Sequence, residues 1–170
     1  MKVLGLDPGS RLLGYAVIEA QASAAVRLAS GTLKLDPRAP LADRLAEAHL
    51  FVRRLIIEQR PDQVAIEECF VAQGVKAALV LGQVRGVLML AATLEAAPLL
   101  EFAPRAIKLA AVGNGGASKE QVQYMVPKLI RGCAAVLPPD EADALAIAWC
   151  GCQHARNPLH RIAAQARSVS

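Results

Sequence analysis

A chain of 170 residues has the size of a single domain and can bury a core without disulfides or bound metals. Its 54 % hydrophobic and 20 % charged residues exclude a disordered, collagen-like or low-complexity chain. The net charge of +4 fits a polyanionic partner, nucleic acid first, and fits an ordinary basic surface equally well.

The predicted elements begin with Lys2 to Asp7, an apolar run closed by Asp7-Pro8-Gly9-Ser10, which reads as a strand ending in a turn. Leu12 to Ile18 and Val26 to Leu35 are two more strands, with Gly31 marking a bulge in the second. Short connections make these three an antiparallel meander. From Pro40 to Arg60, apolar residues recur at Leu41, Leu45, Ala48, Val52, Leu55 and Ile56, the spacing of an amphipathic helix. Val64 to Glu67 is a short fourth strand, which the crossover helix sets parallel to the first. A long Ala/Leu-rich helix over Val75 to Ala96 follows, then a fifth strand at Leu99 to Ala103. Ser118 and Gln121 form a capping box for a helix to about Arg131, and Pro138-Pro139-Asp140 opens another to about His154. The expected fold is an α/β domain over residues 1–156, a mixed five-stranded sheet flanked by helices. A basic, flexible tail is expected over 157–170.

The longest stretch free of Asp, Glu, Lys and Arg runs only from Ala144 to Ala155, so no transmembrane helix is expected. Asp7 interrupts any apolar leader, and Cys69, Cys133, Cys150 and Cys152 form no C-x-x-C pair. A cytoplasmic chain with reduced thiols is the expectation. Cys150, Cys152 and His154 at i, i+2 and i+4 cannot share one helix face, which disfavours a metal site there.

Carboxylates in unusual places carry the chemical signal. Asp7 ends the first strand, and Glu67 and Glu68 end the fourth. Parallel neighbours would bring those ends together, where open α/β sheets place their ligands. Alternation allows only one of Glu67 and Glu68 to face such a site, and does not say which. Asp140 and Asp143 are i and i+3 on the last helix and share a face, from which Glu141 is rotated away. Taken singly, Asp7 reads as a turn residue and Asp140 as a helix cap. Together, converging acids suit Mg²⁺ or Mn²⁺.

Asp7-Pro8-Gly9-Ser10-Arg11 with Gly14-Tyr15, Ala65-Ile66-Glu67, Leu81-Gly82-Gln83-Val84-Arg85-Gly86, and Asp140-Glu141-Ala142-Asp143-Ala144-Leu145-Ala146-Ile147-Ala148 together resemble the bacterial RuvC family. The resemblance runs from about Met1 to Ala155. It implies an RNase H-like fold and a Holliday-junction resolvase that makes paired, symmetric nicks during recombination and repair. It also implies a homodimer, four-way DNA junctions as substrate, and the RuvA/RuvB branch-migration complex as partner. The family's catalytic, metal-binding acids fall on Asp7, Glu67, Asp140 and Asp143, and its lysines near the scissile phosphate on Lys108 and Lys119. Two Mg²⁺ ions, replaceable by Mn²⁺, would serve each site. DNA contacts would fall on Phe70, Arg85, Arg105, Lys108 and Lys119. Small residues Ala78, Gly82, Gly86 and Ala92 make the Val75 to Ala96 helix the candidate dimer interface.

Other readings compete with this one. An RNase H-like nuclease could act on RNA or another branched DNA. The D-x-G-x-x-x-x-G loop occurs in ATP-dependent phosphotransferases, which need two such domains where this length supplies one. A non-catalytic DNA-binding module would have no use for four converging acids.

Overall fold

The computed structural model describes residues 1–21, 24–68 and 74–156. Both Phe70 and the basic tail lie outside the described residues. Six strands form one sheet: β1 (Lys2–Asp7), β2 (Leu12–Ala20), β3 (Ala25–Lys34), β4 (Gln63–Glu67), β5 (Leu99–Phe102) and β6 (Ile130–Arg131). Their spatial order is β5-β4-β1-β2-β3-β6. The meander is antiparallel as expected, and β4 lies parallel to both β1 and β5. The expected strand count of five is corrected to six. The addition, β6, pairs in parallel with Ala25 and Val26 of β3. A strand of two residues carries no alternation that a sequence pattern could reveal.

Side-chain alternation splits the core in two. Leu4, Leu6, Leu13, Val17, Val64 and Ile66 pack beneath α1 (Leu41–Gln59) and α2 (Val75–Leu94). Val3, Ala16, Ile18 and Ala65 pack against α3 (Pro104–Val112), α4 (Lys119–Leu129) and α5 (Pro139–Arg156). Burying each large aliphatic side chain contributes about 1.5–3 kcal/mol. Sequence patterning did not separate α3 from its surroundings, although Pro104 at its first turn and left-handed Gly113 at its end mark it. The Ser118–Gln121 capping box forms as expected at the start of α4.

One expectation needs correcting. The irregularity in the β2–β3 pairing falls at Val17/Ile18, not at Gly31. Gly31 instead makes room for the Tyr15 ring, whose hydroxyl would stand 3.0 Å from an added Cβ. Also, α2 is long and apolar enough to cross a membrane by length and composition. Lys76 and Arg85 break its uncharged runs without changing that balance. Within this domain α2 buries Val84, Leu88, Ala91 and Ala92, leaving Leu79, Leu90 and Leu94 exposed.

Candidate active site

The three acidic elements meet because α5 lies directly on the sheet. A Cβ on Gly14 would stand 2.2 Å from the Asp140 carbonyl oxygen, and one on Gly5 would stand 2.3 Å from that of Ala144. Only glycine permits this approach at either position. Gly14 is also the cross-strand partner of Asp7, so the start of α5 is seated beside the Asp7 side chain. Asp7 continues the Val3–Gly5 face of β1, and Glu67 continues the Ala65 face of β4. Both therefore lie on the α5 side of the sheet, which resolves the choice between Glu67 and Glu68.

Electrostatics register the convergence. Burial, then repulsion from Asp143, Glu67 and Asp140, raises the Asp7 carboxyl to about 8. Glu67 is raised by burial and by Asp143, with Lys119 and Lys108 opposing. Burial likewise raises Asp143, against the pull of Lys119. That lysine donates from Nζ to Oδ2 of Asp143 at 2.6 Å, and this hydrogen bond raises its own pKa. A cleft beside the acids is lined by Glu67, Ile107, Lys108, Lys119, Val122 and Asp143. Thus α3 and α4 deliver the two lysines to the rim of the acid cluster.

As the side chains stand, no three acidic, His or Cys groups among the described residues are drawn in to share one ion. Asp143 is turned toward Lys119 instead. The donor chemistry nevertheless fits a divalent cation. The four groups offer only hard carboxylate oxygens, and burial together with their mutual repulsion raises the Asp7 carboxyl, favouring a proton there that a cation would displace.

The chain matches the family model "Crossover junction endodeoxyribonuclease RuvC" over residues 3–151. The chain belongs to the RuvC family. The RuvC of Chlorobium phaeovibrioides is 43 % identical over 151 residues, covering 88 % of this chain and 80 % of that protein. Thermus thermophilus RuvC superposes with a TM-score of 0.83 at 33 % identity, covering 92 % of this chain and 96 % of that one. A second Thermus RuvC structure, in complex with Holliday junction substrate, gives 0.83 at 30 % identity with the same coverage. The RNase H-like fold expected from the sequence is therefore the fold observed.

Two further features of this RuvC-family chain emerge only from its structure. Arg85, expected on DNA, is engaged within the protein. Its Nε donates to the Glu67 carbonyl at 3.2 Å and its guanidinium pairs with Glu101, so it steadies the end of β4. Arg105 is exposed on α3 and remains available to a ligand. On the opposite face, Arg11, Arg44 and Lys76 line a second cavity that sequence reasoning did not single out. Spacings of more than 30 residues hid that grouping.

Proposed function

We propose that this chain is the subunit of a divalent-metal-dependent endonuclease that resolves four-way DNA junctions by paired nicks. The observation that carries the reading is the grouping of half-buried acids with Lys108 and Lys119 round one cleft, where burial and three other acids push the Asp7 carboxyl to about 8. A divalent cation would relieve that repulsion and is matched by the all-carboxylate donor set. Reading the substrate as a DNA junction rests on membership of a family named for crossover junctions and on the junction-bound relative. Neither observation favours RNA or another branched DNA.

Asp7, Glu67, Asp140 and Asp143 would hold the ions, taken as two Mg²⁺ with Mn²⁺ able to substitute. When bound, such ions activate a water and neutralise charge at the leaving oxygen in an in-line displacement. The protein's own contribution is positional. Lys108 and Lys119 rim the cleft and would hold the scissile phosphodiester by charge. Lys119 would leave Asp143 for the phosphate as DNA and metal enter, freeing that carboxylate. Arg105 on one face and Arg11 and Lys76 on the other would offer backbone contacts for the arms, while Arg44 is held through Nη1 on the Ser10 carbonyl. Phe70 would stack on a base at the junction centre.

Two nicks related by a two-fold axis require two sites, which a C₂ homodimer supplies. Leu79 at 64 % and Leu90 at 51 % exposure on α2, with open space above Gly82 and Gly86, support that face as its interface. Action beside a RuvA/RuvB complex in the cytoplasm completes the proposal. The decisive experiment incubates the protein and Mg²⁺ with a synthetic four-way junction, a linear duplex and an RNA hairpin. Selective paired nicking of the junction is expected, and preference for the hairpin or the duplex would overturn the reading.

A further inference from the structure

We infer that Glu141 is a positioning residue for the catalytic acids, gripping β3 through Ser30 and Arg27 and so fixing the roll of α5. The inference rests on the endonuclease reading of the acid cluster.

Glu141 lies between Asp140 and Asp143 in sequence but points elsewhere. It is buried, 8 % exposed, and Ser30 Oγ donates to its Oε1 at 2.5 Å. Arg27 Nη1 stands 3.7 Å from the same oxygen and donates to Ser30 Oγ at 3.1 Å. Arg27 Nε donates to the Gly132 carbonyl at 2.9 Å, just beyond β6. One carboxylate thereby joins the first turn of α5 to β3 and to the segment that follows β6. A carboxylate leaves water only when partners compensate it, and these partners belong to the scaffold rather than to the acid cluster.

The grip matters most at the first turn of α5. Outside the acid cluster, the helix's other hydrogen-bonded anchors to the scaffold lie at its far end, where Trp149 Nε1 donates to the Ala110 carbonyl and Arg156 Nη2 to the Ala24 carbonyl. Gly5 and Gly14 fix its height above the sheet through the Ala144 and Asp140 carbonyls. The residues around that contact, Ala142, Ala144 and Ala148, are small and buried, so near the first turn the Glu141 grip is the polar contact that sets how the helix is turned on β3. On a helix about 5–6 Å in radius, a roll of about 20° swings a carboxylate by about 2 Å. A preorganised site tolerates about 0.5 Å. Ser30 pairs with Ala16 of β2, so it stands on the α5 face of the sheet, beside the strand that carries Gly14. From there it can oppose that roll directly.

The test titrates Mn²⁺ into the full-length chain without DNA, reading free ion by electron paramagnetic resonance. Junction binding in Ca²⁺ and melting are measured in parallel. Glu141→Ala and Ser30→Ala are each expected to weaken Mn²⁺ binding by about 10–100-fold, the range for losing a partner that orients ligands. Junction affinity stays at its wild-type value. Glu141→Gln keeps an oxygen acceptor for Ser30 and should bind Mn²⁺ within about threefold of wild type, well short of that loss of about 10–100-fold. At saturating Mg²⁺ the nicking rate of Ser30→Ala should recover, the deficit appearing only at low metal. If Glu141→Ala fails to fold, Ser30→Ala decides alone. Wild-type Mn²⁺ affinity in Ser30→Ala overturns the inference, whatever its melting temperature. So does a folded Glu141→Gln as weak as Glu141→Ala, because the loss would then follow charge rather than grip. Asp7→Asn is the control for the underlying reading: if it nicks junctions normally, the metal-site reading fails, independently of the brace.

Discussion

Removing the Asp7 charge should stabilise the metal-free protein, and the gain should grow with pH. Moving this carboxyl from 3.8 to about 8 means that, near neutrality, the folded chain keeps a proton the unfolded chain has released. The folded state binds more protons, so its stability falls as pH rises through the window between those two values. At 1.36 kcal/mol per pH unit, the cost is about 2 kcal/mol at pH 5, about 4 at pH 7, and levels off near 6 above pH 8. Asp7→Asn is neutral in both states and escapes it. For a chain of this size, about 4 kcal/mol corresponds to about 8–16 °C in melting temperature. Glu67 and Asp143 are raised too, so the variant keeps a residual downward slope. Lys119 is raised above 10.5; its contribution is present throughout this window and is lost only at higher pH. The assay is thermal melting of both proteins in EDTA from pH 4.5 to 8.5, repeated with Mg²⁺, which should lift the wild type more than the variant. A difference between the two proteins that is constant with pH, or an Asp7→Asn protein that melts below wild type at pH 8 in EDTA, would refute the reasoning.

Asp7→Asn, Glu67→Gln, Asp140→Asn and Asp143→Asn should each reduce junction nicking more than about 100-fold, beyond the usual loss from an orienting partner, while gel-shift affinity survives. Lys108→Ala or Lys119→Ala should lower the slope of log K against log salt by about 0.9 if each side chain meets one phosphate, as fluorescence titrations from 50 to 300 mM salt would show. Gly14→Ala must push the Asp140 carbonyl away from a Cβ that would stand 2.2 Å off. A loss of about 1–3 kcal/mol in stability, read by urea denaturation, should accompany slower nicking; wild-type nicking would contradict the close seating of α5. Gly86→Arg places a charge in open space on α2, so the monomer should fold normally; if the proposed homodimer packs through that face, sedimentation should show it dissociating and paired nicks should become single ones.

Much of this protein was legible in the chain by itself. The meander, the three long helices and the capping box at Ser118 follow from local pattern, because strand alternation, helical spacing and caps are short-range effects, and the parallel β4 follows from the crossover connection. The acids were visible too, since carboxylates ending apolar strands are anomalous wherever they occur. Long-range geometry decided the rest. Alternation could not say whether Glu67 or Glu68 faces the site; that depends on which face of β4 meets α5, and Ala65 packing there settles it. Arg85 looked like a free cation until Glu101 and the Glu67 carbonyl, on other elements, were found to hold it. Glu141 looked like a bystander rotated off the face that carries Asp140 and Asp143, because its partners Ser30 and Arg27 lie more than 100 residues earlier. Gly5 and Gly14 gave no hint of the helix that would rest on them. A side chain's own spacing fixes its direction relative to its element, whereas its partner is fixed by how the elements pack.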